Sequence, residues 1–239
     1  MRIFLIKAIK FLIALFLLPA LPILVEAIWK HATSLNERML FLENALSLCL
    51  GGIAIWIMFA LLFRLPTRIY VFAHELTHAL FIKLCGGKVK KIAVKRDRGY
   101  VISDRSNFLI TLAPYLFPFY AILLGAFSML FHWIYSNSIT LGITWVLIGF
   151  CLGYHWTMTG RMMVTRQTDF SSQGYIFSFV LILLINLSSI LLLLWILPSP
   201  KGFERKFVNL SHEFRESYLA TWDFLSHVPK LFSKNIHPK

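Results

Sequence analysis

Long apolar blocks separated by short polar segments make up most of this chain. About twenty helical residues are needed to cross roughly 30 Å of hydrocarbon, and five blocks reach or approach that length. They extend over residues 11–29, 45–63, 107–133, 140–158 and 175–197. Pro114 and Pro118 are expected to break the third of these blocks. The pattern predicts an all-α polytopic membrane protein with about five transmembrane helices.

Two segments between these blocks predict elements that do not cross the membrane. Residues 67–85 are expected to form a helix that ends at Gly86 and Gly87, because glycine tolerates the left-handed conformation found there. Residues 88–103 mix β-favouring and charged residues, which predicts a short β-hairpin at the membrane surface. A disordered basic loop is the competing interpretation of residues 88–103.

The segment after the last block is basic and amphipathic. Its apolar residues recur at helical intervals: Phe207, Leu210, Phe214, Tyr218, Trp222 and Leu225. This spacing predicts a helix lying on the bilayer, with a partner-binding helix as the alternative. The chain therefore divides into an N-terminal pair of transmembrane helices (1–63), a membrane core (64–197) and a basic amphipathic tail (198–239).

Composition and charge narrow the class of protein further. Of the 239 residues, 58% are hydrophobic and only 15% are charged, against about a quarter charged in soluble domains. The net charge of +13 arises from basic residues beside the apolar blocks, which favours anionic membrane lipids, and not nucleic acid, as partners. Cys49, Cys85 and Cys151 have no paired spacing, so they are expected to be small buried residues without disulfides.

The run His74-Glu75-Leu76-Thr77-His78 carries the most specific chemistry in the sequence. On a helix, positions i and i+4 share one face, so both imidazoles can bind a single Zn²⁺. Glu75 lies between them in sequence and is free to act as a general base on water. The competing interpretation is an accidental pair of buried histidines.

A catalytic zinc site generally has three protein ligands, so a third one is needed. Asp169 is the leading candidate, because a carboxylate near the membrane boundary is costly without a partner. Its alternative role is to cap the last helix. His155 lies in an apolar block and is the alternative ligand. The other roles open to it are an outer-shell donor to Asp169, a stabiliser of the oxyanion, or a structural residue that hydrogen-bonds to a neighbouring helix.

The positive-inside rule predicts the orientation. It places Lys7 and Lys10 in the cytoplasm and, after two crossings, Arg64 and Arg68 as well. The basic residues of 88–98 favour the same side, so the histidine helix is expected to dip into the bilayer from the cytoplasmic face. The metal site is then near the cytoplasmic face of the cell inner or plasma membrane. This topology places the basic tail outside, which the rule disfavours.

Several of these residues together resemble the site-2 protease family of intramembrane zinc metallopeptidases, especially its short, minimal members. The histidine run continues into Ala79-Leu80 and is followed by Gly86-Gly87-Lys88-Val89 ahead of a β-like stretch. A Pro-containing span at Leu112-Ala113-Pro114-Tyr115 and the later Asp169 complete the resemblance. It extends over about residues 64–197.

The resemblance implies a zinc-dependent metalloendopeptidase. Its partner would be a transmembrane protein substrate, cleaved in or beside a membrane-spanning segment and held by the hairpin as an added strand. One alternative is a non-catalytic membrane scaffold with a degenerate zinc motif, which the intact Glu75 disfavours. The other is an ion-binding transporter, which the lack of an inverted repeat and of paired intramembrane acids disfavours.

Overall fold

The computed structural model describes residues 2–34, 45–96, 98–134, 138–165, 167–196 and 203–234. Ten helices and one two-stranded hairpin make up this described part of the chain. In chain order they are α1 (Arg2–Leu17), α2 (Ala20–Ser34), α3 (Ala45–Leu62), α4 (Thr67–Leu84), β1 (Val89–Val94), β2 (Gly99–Ser103), α5 (Phe108–Leu116), α6 (Phe119–Ile134), α7 (Ser138–Met163), α8 (Thr168–Gln173), α9 (Tyr175–Ile196) and α10 (Phe203–Lys234).

Within the described residues, four helical segments are long and apolar enough to cross a membrane: Phe4–Thr33, Ala45–Leu62, Leu141–Met163 and Tyr175–Trp195. The first of them combines α1 and α2. A fifth candidate is the pair α5 and α6, which is bent by 70°. These spans confirm the predicted fold class, an all-α polytopic membrane protein with about five transmembrane helices.

The bent pair differs from the sequence prediction in where it breaks. Pro114, predicted as one of two break points, lies inside α5, which continues to Leu116. Leu116 is the last residue of the helix, and the C-cap residue Phe117 that follows it has an extended backbone. A residue that precedes a proline is disfavoured in the helical conformation, and Phe117 precedes Pro118. The second predicted break is therefore the one that bends the chain.

The N-terminal span packs along α9, and both run in the same direction. Near the start of α1, the Lys7 ammonium donates to the carbonyl of Ser171 at 3.3 Å, and Lys10 contacts the side chain of Gln173. Further along, Leu24 and Ala27 of α2 pack against α9 in a shared apolar cluster. The N-terminus of the chain and the short helix α8 therefore lie at the same end of the bundle.

Helices α3 and α7 approach each other closely at glycines. A Cβ atom on Gly52 would lie 1.9 Å from the carbonyl oxygen of Val146, and one on Gly149 would lie 1.9 Å from that of Cys49. Such small residues let helix backbones come into direct contact in membrane proteins. Gly51, by contrast, has open space beside it, so only the second of the two adjacent glycines serves the packing.

Helix α4 carries the histidine run and ends where the sequence predicts. Gly86 has a φ of 71°, and its N–H donates to the carbonyl of Lys83 while that of Gly87 donates to Ile82. These two bonds form the glycine-terminated motif that satisfies the last carbonyls of a helix. Among the described residues, α4 is not one of the candidate membrane spans.

The predicted hairpin is present. Strand β1 pairs with β2 in antiparallel register, Ile92 opposite Val101 and Val94 opposite Gly99. Both strands pack against α4. The hairpin therefore lies beside the helix that carries the histidines, and β1 is hydrogen-bonded to one edge of β2.

The tail forms the long helix α10, as its periodicity predicts. Part of its apolar face packs on the chain itself: Leu210 and Phe214 contact the α2–α9 cluster, and the Tyr218 ring lies 5.1 Å from that of Phe16. Trp222 is exposed. Contact with a bilayer by the remaining apolar face stays a prediction.

Candidate metal centre

The helical spacing of α4 brings His74 and His78 together on one face. Their Nε2 atoms are 3.2 Å apart, and each side chain is 13% exposed. Both rings therefore point one nitrogen at a common location. This is the arrangement that the i, i+4 spacing predicts.

Asp169 reaches the same location from a distant part of the sequence. It lies in the first turn of α8, and its Oδ2 is 3.6 Å from the Nε2 of His74 and 3.7 Å from that of His78. Burial alone would raise the pKa of this carboxyl, but the two imidazoles hold the pKa of Asp169 well below its usual range. The alternative role of capping α9 does not apply, because Asp169 is inside α8.

The donor set and its spacing suit a zinc ion. The three ligand atoms all lie within 4.8 Å of one another. Ligands about 2.0–2.1 Å from one tetrahedral ion would be separated by roughly 3.3 Å, which is close to the distances observed here. Two imidazoles and one carboxylate also form a donor set used by catalytic zinc sites. The residues therefore fit the metal that the resemblance implies.

His78 is held in place by a backbone carbonyl. Its Nδ1–H donates to the carbonyl of Ile110 in α5 at 2.8 Å. That carbonyl is available because the residue four positions later is Pro114, which has no N–H to donate back to it. The proline inside α5 thus frees the acceptor that orients the His78 ring, a role that the sequence alone did not reveal.

Asp169 is held by a residue that sequence reasoning also missed as functional. The Tyr115 hydroxyl donates to Asp169 Oδ2 at 2.9 Å. Tyr115 is fully buried, and its ring packs between those of His74 and Phe170 at 5.0 and 4.7 Å. Carboxylate ligands are commonly fixed by such outer hydrogen bonds. Tyr115 belongs to one of the motifs that carry the family resemblance, but no sequence pattern indicated that it bonds to Asp169.

Glu75 is buried beside the cluster without belonging to it. Its exposed fraction is 6%, and burial raises the pKa of its carboxyl to about 7. A Cβ on Gly99 would lie only 2.6 Å from its Oε1. The absence of a side chain at the start of β2 therefore lets the strand pass this closely over the Glu75 carboxyl in its observed position.

A cavity of about 620 Å³ opens in front of these groups. Its walls include the two histidines, Glu75 and Asp169, together with all five residues of β2. No residue of β1 contributes to its walls within the described chain. Since β1 occupies one edge of β2, the edge of β2 that remains unpaired borders the cavity.

His155 is not brought into the cluster. It lies in α7 and is 8% exposed, and the described residues that could share an ion are His74, His78 and Asp169 alone. The structure places the His155 ring next to the side chain of Asn186 and the carbonyl of Tyr115. It also lines a second, smaller cavity behind His74.

Comparison with known protein families identifies a match over more than half of the chain. A family model described as Peptidase M50B-like matches residues 45–197. The matched region begins at the start of α3 and so includes a helix that lies outside the region of motif resemblance. No curated protein and no solved structure matches the chain.

Proposed function

The chain belongs to the Peptidase M50B-like family, and from this premise we propose that it is a zinc-dependent endopeptidase acting on membrane proteins. The family membership confirms the resemblance to site-2 proteases and supports protease activity in general. The proposal that the activity depends on zinc is supported by the convergence of His74, His78 and Asp169, with Glu75 buried beside them.

In this proposal the two histidines and Asp169 hold the ion. A bound Zn²⁺ supplies Lewis-acid chemistry, polarising a peptide carbonyl and lowering the pKa of water toward neutrality. Tyr115 fixes Asp169 from behind, and the Ile110 carbonyl fixes His78. These bonds hold two of the three ligands, Asp169 and His78, in position before the ion arrives.

Glu75 is the proposed general base. Its carboxyl lines the same cavity as the ligands, and a carboxylate beside the ion can accept a proton from water and release it again near neutral pH. It takes the proton from the attacking water at a carboxylate oxygen and delivers that proton to the leaving amine nitrogen. The close passage of Gly99 restricts where the carboxyl can move.

The cavity and the free edge of β2 indicate how substrate is held. A peptide within a helix satisfies its own amides, so the scissile segment must unwind before it is cleaved. Its freed N–H and C=O groups can then pair with the unpaired edge of β2, which is the usual mode of strand addition. A volume of about 620 Å³ accommodates a short extended segment.

We propose that the site faces the cytoplasm. Lys7 donates to Ser171 of α8, the helix that carries Asp169, so the basic N-terminus lies on the same side as the metal centre. The positive-inside rule retains such basic residues in the cytoplasm. A fluorescent reporter at the N-terminus should therefore fluoresce in intact cells, and an extracytoplasmic N-terminus would contradict this orientation.

Removal of the metal should stop proteolysis. Purified protein in lipid vesicles is combined with a panel of single-span membrane proteins, and cleavage is followed by mass spectrometry of the fragments. We expect a chelator to abolish cleavage and added Zn²⁺ to restore it, with cut sites in or beside the spanning segment. Cleavage that persists in metal-free protein would overturn the proposed function.

A further inference from the structure

A small cavity lies behind His74, on the side of the ring away from the metal cluster. It has a volume of about 20 Å³, and its walls include Tyr70, His74 and His155. A site of roughly 10–15 Å³ measured in this way is sufficient for one water molecule. The cavity is therefore large enough for one water and too small for a substrate group.

Three buried polar atoms belong to residues of this one cavity and have no hydrogen-bond partner among the described residues. They are Tyr70 Oη, His74 Nδ1 and His155 Nε2. Most buried polar atoms in folded proteins are paired with protein or ordered water. Three unpartnered atoms around one small cavity thus point to a shared partner within it.

The two metal-facing histidines differ in this respect. A metal-binding imidazole usually donates its other N–H to a carbonyl, a carboxylate or a water. His78 has such an acceptor in the Ile110 carbonyl. With Nε2 turned to the metal, His74 carries its proton on Nδ1, and that N–H needs an acceptor in the cavity.

The neighbours of His155 define which of its nitrogens can accept a hydrogen bond. The amide protons of Asn186 are donated to the carbonyls of Tyr115 and Ile182, so its Oδ1 remains an acceptor. The His155 ring contacts that side chain and the Tyr115 carbonyl, and both offer only acceptors to it. The proton of the neutral ring is therefore on Nδ1, and Nε2 carries a lone pair that can accept a hydrogen bond.

We propose that this cavity binds one water that accepts a hydrogen bond from His74 Nδ1–H and donates one to His155 Nε2. The Tyr70 hydroxyl is its third partner, which satisfies the two to four partners that a buried water requires. His155 is then a positioning residue, which acts through the water to fix the tautomer and the orientation of His74. This inference rests on the proposed zinc site.

The test compares two replacements of His155 by their Zn²⁺ affinity, measured on the purified full-length protein by competition with a chelator. In His155→Gln the amide group takes the place of Nε2, whereas in His155→Asn it takes the place of Nδ1. We expect His155→Asn to bind Zn²⁺ about 10–100-fold more weakly than the wild type, the usual effect of losing an outer-shell partner. His155→Gln should recover most of that affinity.

Thr159→Val is the matched control. Thr159 lies one turn further along α7, is 3% exposed and has a hydroxyl without a partner among the described residues, but it does not line the cavity. Its replacement should leave the Zn²⁺ affinity unchanged. Thermal unfolding of the metal-free variants shows whether each one is folded.

The outcomes separate this inference from the proposed function. If the wild type binds no Zn²⁺, the proposed metal site fails and this inference fails with it. If the wild type and His155→Asn bind Zn²⁺ equally well, only the inference is overturned. A high-resolution structure of the zinc-bound wild type gives a readout that needs no variant: ordered water within hydrogen-bond distance of both nitrogens supports the inference, and an empty cavity overturns it.

Discussion

Replacing Glu75 with glutamine is expected to lower cleavage of a transmembrane substrate by roughly 10²–10⁴-fold, the usual contribution of a general acid–base group. The amide keeps the size of the side chain but neither takes nor releases the proton. Glu75 is outside the group of three ligand atoms, so bound zinc should remain near the wild-type level. Cleavage rate and zinc content are measured on the same preparation in lipid vesicles.

The control for this experiment is Glu26→Gln. Glu26 is an exposed acid that pairs with Lys30 on α2 at 2.9 Å, so its replacement removes the same charge without changing the cavity. Its cleavage rate should match that of the wild type. A Glu75→Gln protein with wild-type activity would rule out Glu75 as the base, and one that lost its zinc would reassign Glu75 to the metal site.

Replacing Asp169 with alanine is expected to abolish cleavage and to weaken zinc binding by more than the ~10–100-fold typical of outer-shell changes. The variant leaves two histidines as the only ligands and also leaves the buried Tyr115 hydroxyl without its acceptor. Unpaired buried hydroxyls cost about 1–3 kcal/mol, so a lower melting temperature should accompany the loss of metal. Zinc affinity is measured by chelator competition.

Ser171→Ala provides the comparison on the same short helix. The Ser171 hydroxyl is exposed and bonds only to the Thr168 carbonyl in the described chain, away from the ligand cluster. Zinc affinity should be unchanged in this variant. Undiminished affinity in Asp169→Ala would mean that another residue completes the site.

The positions of His74 and His78 in the candidate metal centre could be predicted from the sequence, because they depend only on helix geometry. The spacing of His74 and His78 fixes their common face once α4 forms, and Gly86 and Gly87 mark where α4 ends. The apolar blocks similarly predicted the spans, since length and hydropathy determine which helices can cross a membrane.

The contacts that depend on how distant helices pack together were harder to predict from the sequence. Asp169 could be selected only by comparing the environments of the acids, because no periodicity relates α8 to α4. The Tyr115–Asp169 bond depends on how α5 packs between α4 and α8. The use of the Ile110 carbonyl by His78 required knowing that α5 continues through Pro114, whereas the sequence suggested a break there.

The sequence singled out His155 as an alternative metal ligand, but the structure places it outside the cluster of His74, His78 and Asp169. A histidine within an apolar span needs a polar partner, and a metal ion would be one, so the sequence made His155 an alternative ligand. The structure instead places it in α7 behind His74, next to Asn186 and a small cavity. The sequence identified His155 as a residue in need of a polar partner but could not place it relative to the three clustered residues.

The central claim is that His74, His78 and Asp169 together hold one zinc ion. X-ray absorption at the zinc edge, measured on the purified wild-type protein, tests it most directly. We expect one zinc per chain, with two imidazole nitrogens and a carboxylate oxygen at about 2.0–2.2 Å and no sulfur neighbour. A protein that retains no zinc, or a zinc ion with a sulfur ligand at about 2.3 Å, would contradict it.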